Sequence, residues 1–378
     1  MQRGVGMGQA DDAPGIMQVY GSKISYYTGK FETYLRYRSI PYASLPTVAH
    51  SRKLIEGVGI VQMPVVRVAD GRWMTDTTPM IAWLESQQDE PTIYPADPAL
   101  NFIALLIEDY GDEWLWRTAM HYRWSYRRDR QHAAEFLYEE LIRGVLPFPR
   151  FLALNSLKRR QRGGFVRGDG VNEKTRDHAD RTYLTALDLM QEILVRRPFL
   201  LGNSPTIADF GMMAPMFRHF GQDPTPAEIM RERAPAVYEW VARMWNAKPG
   251  QDDPQLIDRI DAPLEAFLNE ICETHLVQLR ENARAFGEGR RRYDQTIQDC
   301  TYENVPVSRY RVWCLEALRR HWSALGAPAQ GRLRDALHSP EAQVLRDGSE
   351  IVPSGYDTNR QAPFNRAINV FGKGVPPK

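Results

Sequence analysis

The stretch Leu201-Gly202-Asn203-Ser204-Pro205-Thr206-Ile207-Ala208-Asp209-Phe210 constrains this chain more than any other, because it writes a complete helix start. Thr206 caps by accepting from the Asp209 amide, the Asp209 carboxylate returns to the Thr206 amide, and Pro205 packs on Phe210 as a staple. Thr206 to Phe220 is predicted as a helix. Taken alone, such a box is a folding signal and carries no chemistry.

With 378 residues the chain has room for two or three domains, and 43% hydrophobic with 25% charged residues is ordinary globular composition. The 48 Lys and Arg against 47 Asp and Glu leave a net charge of +1, which offers no global attraction to nucleic acid or anionic lipid. Cys272, Cys300 and Cys314 are odd in number and form no CxxC pair, so neither a disulfide framework nor a zinc ribbon is expected. No secretory-type apolar start and no run of ~18 apolar residues is present, so a cytoplasmic location without a membrane partner is expected.

Along the chain the texture changes twice. After a loose tail, 1–16, residues 17–90 alternate short elements: a strand Met17 to Tyr20, a helix near Lys30 to Arg38, an extended run Pro41 to Leu45, and Met63 to Val68. Asp70-Gly71 then turns a hairpin into Arg72-Trp73-Met74, and Asp76-Thr77-Thr78-Pro79 opens a helix. The order β-α-β, β-β-α predicts a small α/β domain. From 99 to 250 the apolar spacing is helical throughout, with Arg159 to Gly170 expected as a mobile loop. Residues 251–345 read as a further helical extension interrupted by a polar, hairpin-like interval from Gly287 to Pro306, and 346–378 as an irregular tail.

Leu201 to Phe210 resembles the buried capping box G-x-x-x-[ST]-x-A-D of glutathione transferases. Met63-Pro64 before Val65-Val66 resembles that family's apolar residue and cis-proline ahead of the third strand. Asp76-Thr77, twelve positions beyond Pro64, sits where the family has Glu-Ser. The resemblance covers roughly Met17 to Lys248 and implies a thioredoxin-like α/β domain followed by an all-α domain, with the extension seen in some bacterial members. It implies glutathione as co-substrate, no metal, a homodimer, and a role in detoxification. Asp76 would accept from the γ-glutamyl ammonium, Thr77 at a helix N-terminus would bind its carboxylate, and the Met63 backbone, exposed by cis-Pro64, would pair with the cysteinyl unit.

Activating the thiol requires lowering a pKa of about 8.5 by some two units, about 2.7 kcal/mol of preference for the thiolate, which a hydroxyl donor and a helix N-terminus can supply. Counting back from Phe31 to Tyr42 aligns Ser25 with the catalytic serine of the serine-type classes, with Tyr26 and Tyr27 as the alternative donors; Ser22 falls near the tyrosine of the tyrosine-type classes. No cysteine stands at the redox position, which argues against reductive or glutaredoxin-like chemistry.

The second substrate, a small hydrophobic electrophile, would sit on the helical domain, where Tyr110, Trp114 and His121 are the candidate pocket residues. Glu108, Asp109, Asp112 and Glu113 lack the Glu-x-x-His that a di-metal helix wants. The basic runs Lys158 to Arg162 and Arg290 to Arg292 read as solvated loops. The expected activity is glutathione transfer to the electrophile. The alternatives are a glutathione-dependent lyase, etherase or isomerase, and a non-catalytic binding or scaffold protein of the same fold.

Overall fold

The computed structural model describes residues 15–89, 92–145, 149–250, 254–349 and 351–367. Nearly all of the expected N-terminal tail, and the end of the C-terminal one, lie outside the described residues. The first domain is built from β1 (Met17–Gly21), α1 (Tyr26–Tyr37), β2 (Tyr42–Pro46), α2 (Ser51–Val58), β3 (Val65–Arg67), β4 (Trp73–Thr75) and α3 (Thr77–Glu85). Its sheet has the order β2-β1-β3-β4, with β1 and β2 parallel and β3 antiparallel to both neighbours. The sheet is thioredoxin-like. Helix α2 is an addition to the sequence reading.

A helical domain follows: α4 (Pro98–Asp109), α5 (Leu115–Ser125), α6 (Arg127–Leu137), α7 (Arg150–Gln161), α8 (Arg176–Leu194), α9 (Ile207–Pro215), α10 (Pro224–Arg233) and α11 (Pro235–Asn246). A wide turn over Tyr110–Trp114 joins α4 to α5 without breaking the rod. Residues 159–169, expected as a loop, are instead the end of α7 and two helical turns, because Val166 and Val171 anchor them in a core with Trp124 and Tyr302. The box at α9 forms, and buried Asp209 takes more than the box requires: its carboxylate accepts from the amides of Thr206 and Leu200, each at 2.9 Å, and from the Trp240 indole at 3.1 Å. At the crossing of α9 and α4 a Cβ on Gly211 would lie 2.5 Å from the Glu108 Cα, so glycine sets how closely these helices approach.

The extension comprises α12 (Ala262–Ile271), α13 (Val277–Gly287), the hairpin β5 (Arg292–Ile297) with β6 (Cys300–Pro306), α14 (Arg309–Ser323) and α15 (Ala327–Ala336). It shares one core with the rest of the molecule: Phe31, Leu106, Phe210, Leu264, Phe267, Val312 and Leu333 belong to a single buried apolar cluster. Residues 351–367 run without regular structure back to the α/β domain.

Candidate active site

Ser25 is the N-cap of α1; its Oγ accepts from the Thr28 amide at 3.4 Å, and among the described residues the half-buried hydroxyl has no acceptor for its own proton. The two tyrosines are committed elsewhere. The buried Tyr26 hydroxyl donates to the Gly111 carbonyl, and that of Tyr27 donates to the Asp112 carbonyl at 2.9 Å. Burial, then the nearby carboxylates, drive both phenols well above their usual range. Ser22 donates to the Glu140 carboxylate.

The loop that carries Ser25 is held by the helical domain. Arg218 donates to the Lys23 carbonyl at 2.7 Å and pairs with Glu32, while Arg123 donates to the Ile24 carbonyl at 2.7 Å and pairs with Asp223. No local pattern marks Arg123, Arg218 or Glu140 as positioning residues, since each acts across more than ninety positions of chain.

The Met63-Pro64 bond is cis and Met63 is half-exposed. Asp76 has φ 70° and caps α3, with Oδ1 accepting from the Thr78 amide at 3.3 Å. Thr77 is buried beside it. Two hydroxyls from the extension complete the Asp76 carboxylate: Tyr310 donates to Oδ1 at 3.0 Å and Tyr356 to Oδ2 at 2.5 Å. Burial raises Asp76 to about 6, against the pull of these donors. The same segment pairs with the outer edge of β4, where the Thr75 amide donates to the Pro363 carbonyl at 3.0 Å, and reaches α2 through Ala367. Phe364 wedges between Trp83 and Arg72.

The helical wall is closed as well. Tyr110, Trp114 and His121 are all buried, and the extension is the reason for the first: Tyr110 packs edge-on against Phe267 and His275. Trp114 meets His178, and His121 bonds Asp180 at 3.1 Å and Ser125 at 2.9 Å. The three are core side chains here rather than the open wall expected of a pocket. The carboxylates of this helix each meet a basic partner: Glu108 and Asp112 share buried Lys30, Asp109 bonds His275, and Glu113 pairs with buried Arg311 at 3.2 Å. Burial pushes Glu113 up to about 7, against the pull of Arg311.

Residues 19–92 match the family model of the glutathione S-transferase N-terminal domain, and 173–243 that of the C-terminal domain. The chain belongs to the glutathione S-transferase superfamily. Solved structures similar to it include the beta-etherase LigF from Sphingobium sp. strain SYK-6, at 20% identity over 62% of this chain and 96% of that one, TM-score 0.43. A glutathione S-transferase from Rhodospirillum rubrum is 15% identical over 64% and 96%, TM-score 0.41, and a GST-like protein from Pseudomonas syringae 16% over 66% and 80%, TM-score 0.41. No curated protein matches the chain.

Against glutathione the residues divide. The sulfur end fits, with a serine O–H at a helix start that has no acceptor among the described residues and a half-exposed Met63 before a cis-proline. At the γ-glutamyl end, Asp76 is already satisfied by Tyr310 and Tyr356.

Proposed function

We propose that this protein is a glutathione-dependent transferase acting on a hydrophobic electrophile, with its cleft held closed by its own C-terminal extension. Ser25 carries the reading: among the described residues it is the one hydroxyl of the β1–α1 loop that caps α1 and has no acceptor for its own proton. Glutathione supplies the nucleophilic thiol. The Ser25 hydroxyl and the first amides of α1 hold the negative charge on sulfur, Met63 presents its backbone to the peptide, and Asp76 accepts the ammonium once Tyr356 withdraws. Proximity of thiolate and electrophile supplies the rest of the acceleration.

Ultraviolet titration of bound glutathione tests this. Ser25→Ala should raise the thiol pKa by about one to two units, roughly 1.4–2.7 kcal/mol, and lower turnover most at neutral pH. A titration that overlays wild type removes Ser25 from the reading. A non-catalytic binding or scaffold role is the second reading, favoured by the doubly satisfied Asp76, and a folded full-length chain that no release of Tyr356 renders able to retain glutathione would select it.

A further inference from the structure

Three arginines near α6 and α7 have an acidic partner: Arg128 pairs with Glu228, Arg143 with Glu139, and Arg150 approaches Glu135 and Glu139. One place breaks that pattern. A cleft of about 450 Å³ lies between α6, α7 and the turn after α7, walled by Arg130, Asn155, Lys158, Arg159, Arg162 and Arg167. No carboxylate lines it, and among the described residues Arg130, Arg159, Arg162 and Arg167 have no acidic partner.

The arrangement follows from the sequence once α7 is helical through this region. Asn155, Arg159 and Arg162 are spaced four and three apart, which puts them on one face, with Lys158 beside them. Across the cleft, Arg130 is fixed by two bonds from Nη1 to the Trp124 and Ser125 carbonyls, both 3.1 Å. Burial, then the charges of Arg162 and Arg127, hold its pKa below the ordinary arginine range. Five like charges facing one concavity repel each other, and that repulsion is relieved by an anion seated among them.

We propose that this cleft binds a ligand carrying more than one phosphate group, through Arg130, Lys158, Arg159, Arg162 and Arg167. Guanidinium forks match phosphate oxygens in pairs, and the volume falls within the range of small-molecule sites. A single carboxylate would leave most of the charge unmet. The cleft shares no residue with Ser25, Met63, Asp76 or Thr77, so this site is independent of the proposed transferase reading.

Phosphate groups reach a protein either free in solution or as lipid headgroups, and exposed Phe151 and Leu152 on the first turn of α7 offer apolar contacts for the second source. The test is calorimetry of the full-length protein with inorganic triphosphate, beside co-sedimentation with vesicles containing cardiolipin, whose headgroup carries two phosphates. Triphosphate should bind in roughly the micromolar range at low salt and weaken as salt rises. Arg159→Gln with Arg162→Gln should lose about tenfold or more, whereas Arg290→Gln with Arg291→Gln, on the other basic run, should lose nothing. Vesicle binding lost in the first pair and reduced by Phe151→Ser, with triphosphate binding intact in Phe151→Ser, makes the source a headgroup; triphosphate binding without vesicle binding makes it a soluble phosphate. Neither probe binding at millimolar concentration, or equal loss in both arginine pairs, overturns the site.

Discussion

Replacing Tyr356 by Phe removes one oxygen and leaves the ring, so it isolates the bond that closes Asp76. Oδ2 of Asp76 then keeps no donor among the described residues, while Oδ1 still accepts from Tyr310 at 3.0 Å and the Thr78 amide at 3.3 Å. A hydrogen bond to a charged group contributes about 1.5–3 kcal/mol, so the closed state is weakened by that much relative to a state in which a ligand ammonium takes the place of the hydroxyl. Each 1.4 kcal/mol is a factor of ten, and apparent affinity scales with the fraction of molecules competent to bind. Tyr356→Phe should therefore bind glutathione about 10- to 150-fold more tightly than wild type. Tyr310→Phe should gain much less, because Oδ1 retains the Thr78 amide. Calorimetry on the two variants, with near-ultraviolet circular dichroism to confirm folding, reads the difference. A folded Tyr356→Phe protein whose affinity stays within about twofold of wild type would refute the reasoning.

Two further outcomes follow from the buried carboxylates. Asp209→Ala strands the Leu200 and Thr206 amides and the Trp240 indole in the core, and should cost roughly 3–5 kcal/mol in urea unfolding without altering ligand affinity. Asp76 has a folded pKa raised from 3.8 to about 6, so the folded state holds its proton more tightly than the unfolded chain does. Its contribution is fully present below about pH 4 and is lost as pH rises through 6, a swing of up to roughly 3 kcal/mol. Asp76→Asn should remove that component, which parallel denaturation curves between pH 4 and 7 would detect; identical pH slopes in the two proteins would contradict it.

What the sequence disclosed was local. The cap at Thr206 and Asp209 is legible because its partners are three residues apart, whereas the Trp240 indole bonded to the same carboxylate is 31 positions away and leaves no pattern. Helix α2 escaped because its eight residues bury only Leu54 and Val58, too few to establish a period. Arg159 to Gly170 reads as loop by composition, and tertiary burial of Val166 and Val171 overrides that propensity. Asp76, Thr77 and Ser25 are legible as candidates because short motifs place them. The residues that decide whether Asp76 is available, Tyr310 and Tyr356, lie 234 and 280 positions away.

Those two tyrosines differ in what their departure would break. Tyr310 opens α14, and its neighbour Arg311 is buried against Glu113 at 3.2 Å. Moving the helix start would strip one partner from a buried ion pair, which costs about 3–5 kcal/mol, more than a ligand with millimolar affinity can readily offset. Tyr356 lies on a segment without regular structure, tied by bonds from Arg309 to the Ser354 and Gly355 carbonyls, by the Ser354 amide and hydroxyl donating to the Glu316 carboxylate, and by the pairing of Thr75 with Pro363. Ser354 and Tyr356 are buried and Tyr356 packs on Tyr310 and Trp313, but none of these contacts is a buried ion pair, so lifting this segment strands less charge than moving the start of α14 does. On the proposed reading the ligand ammonium therefore meets Oδ2, the oxygen Tyr356 vacates, while Tyr310 stays bonded to Oδ1. The extension then serves two roles at one carboxylate, with α14 holding Asp76 in place and residues 351–367 deciding when it is free.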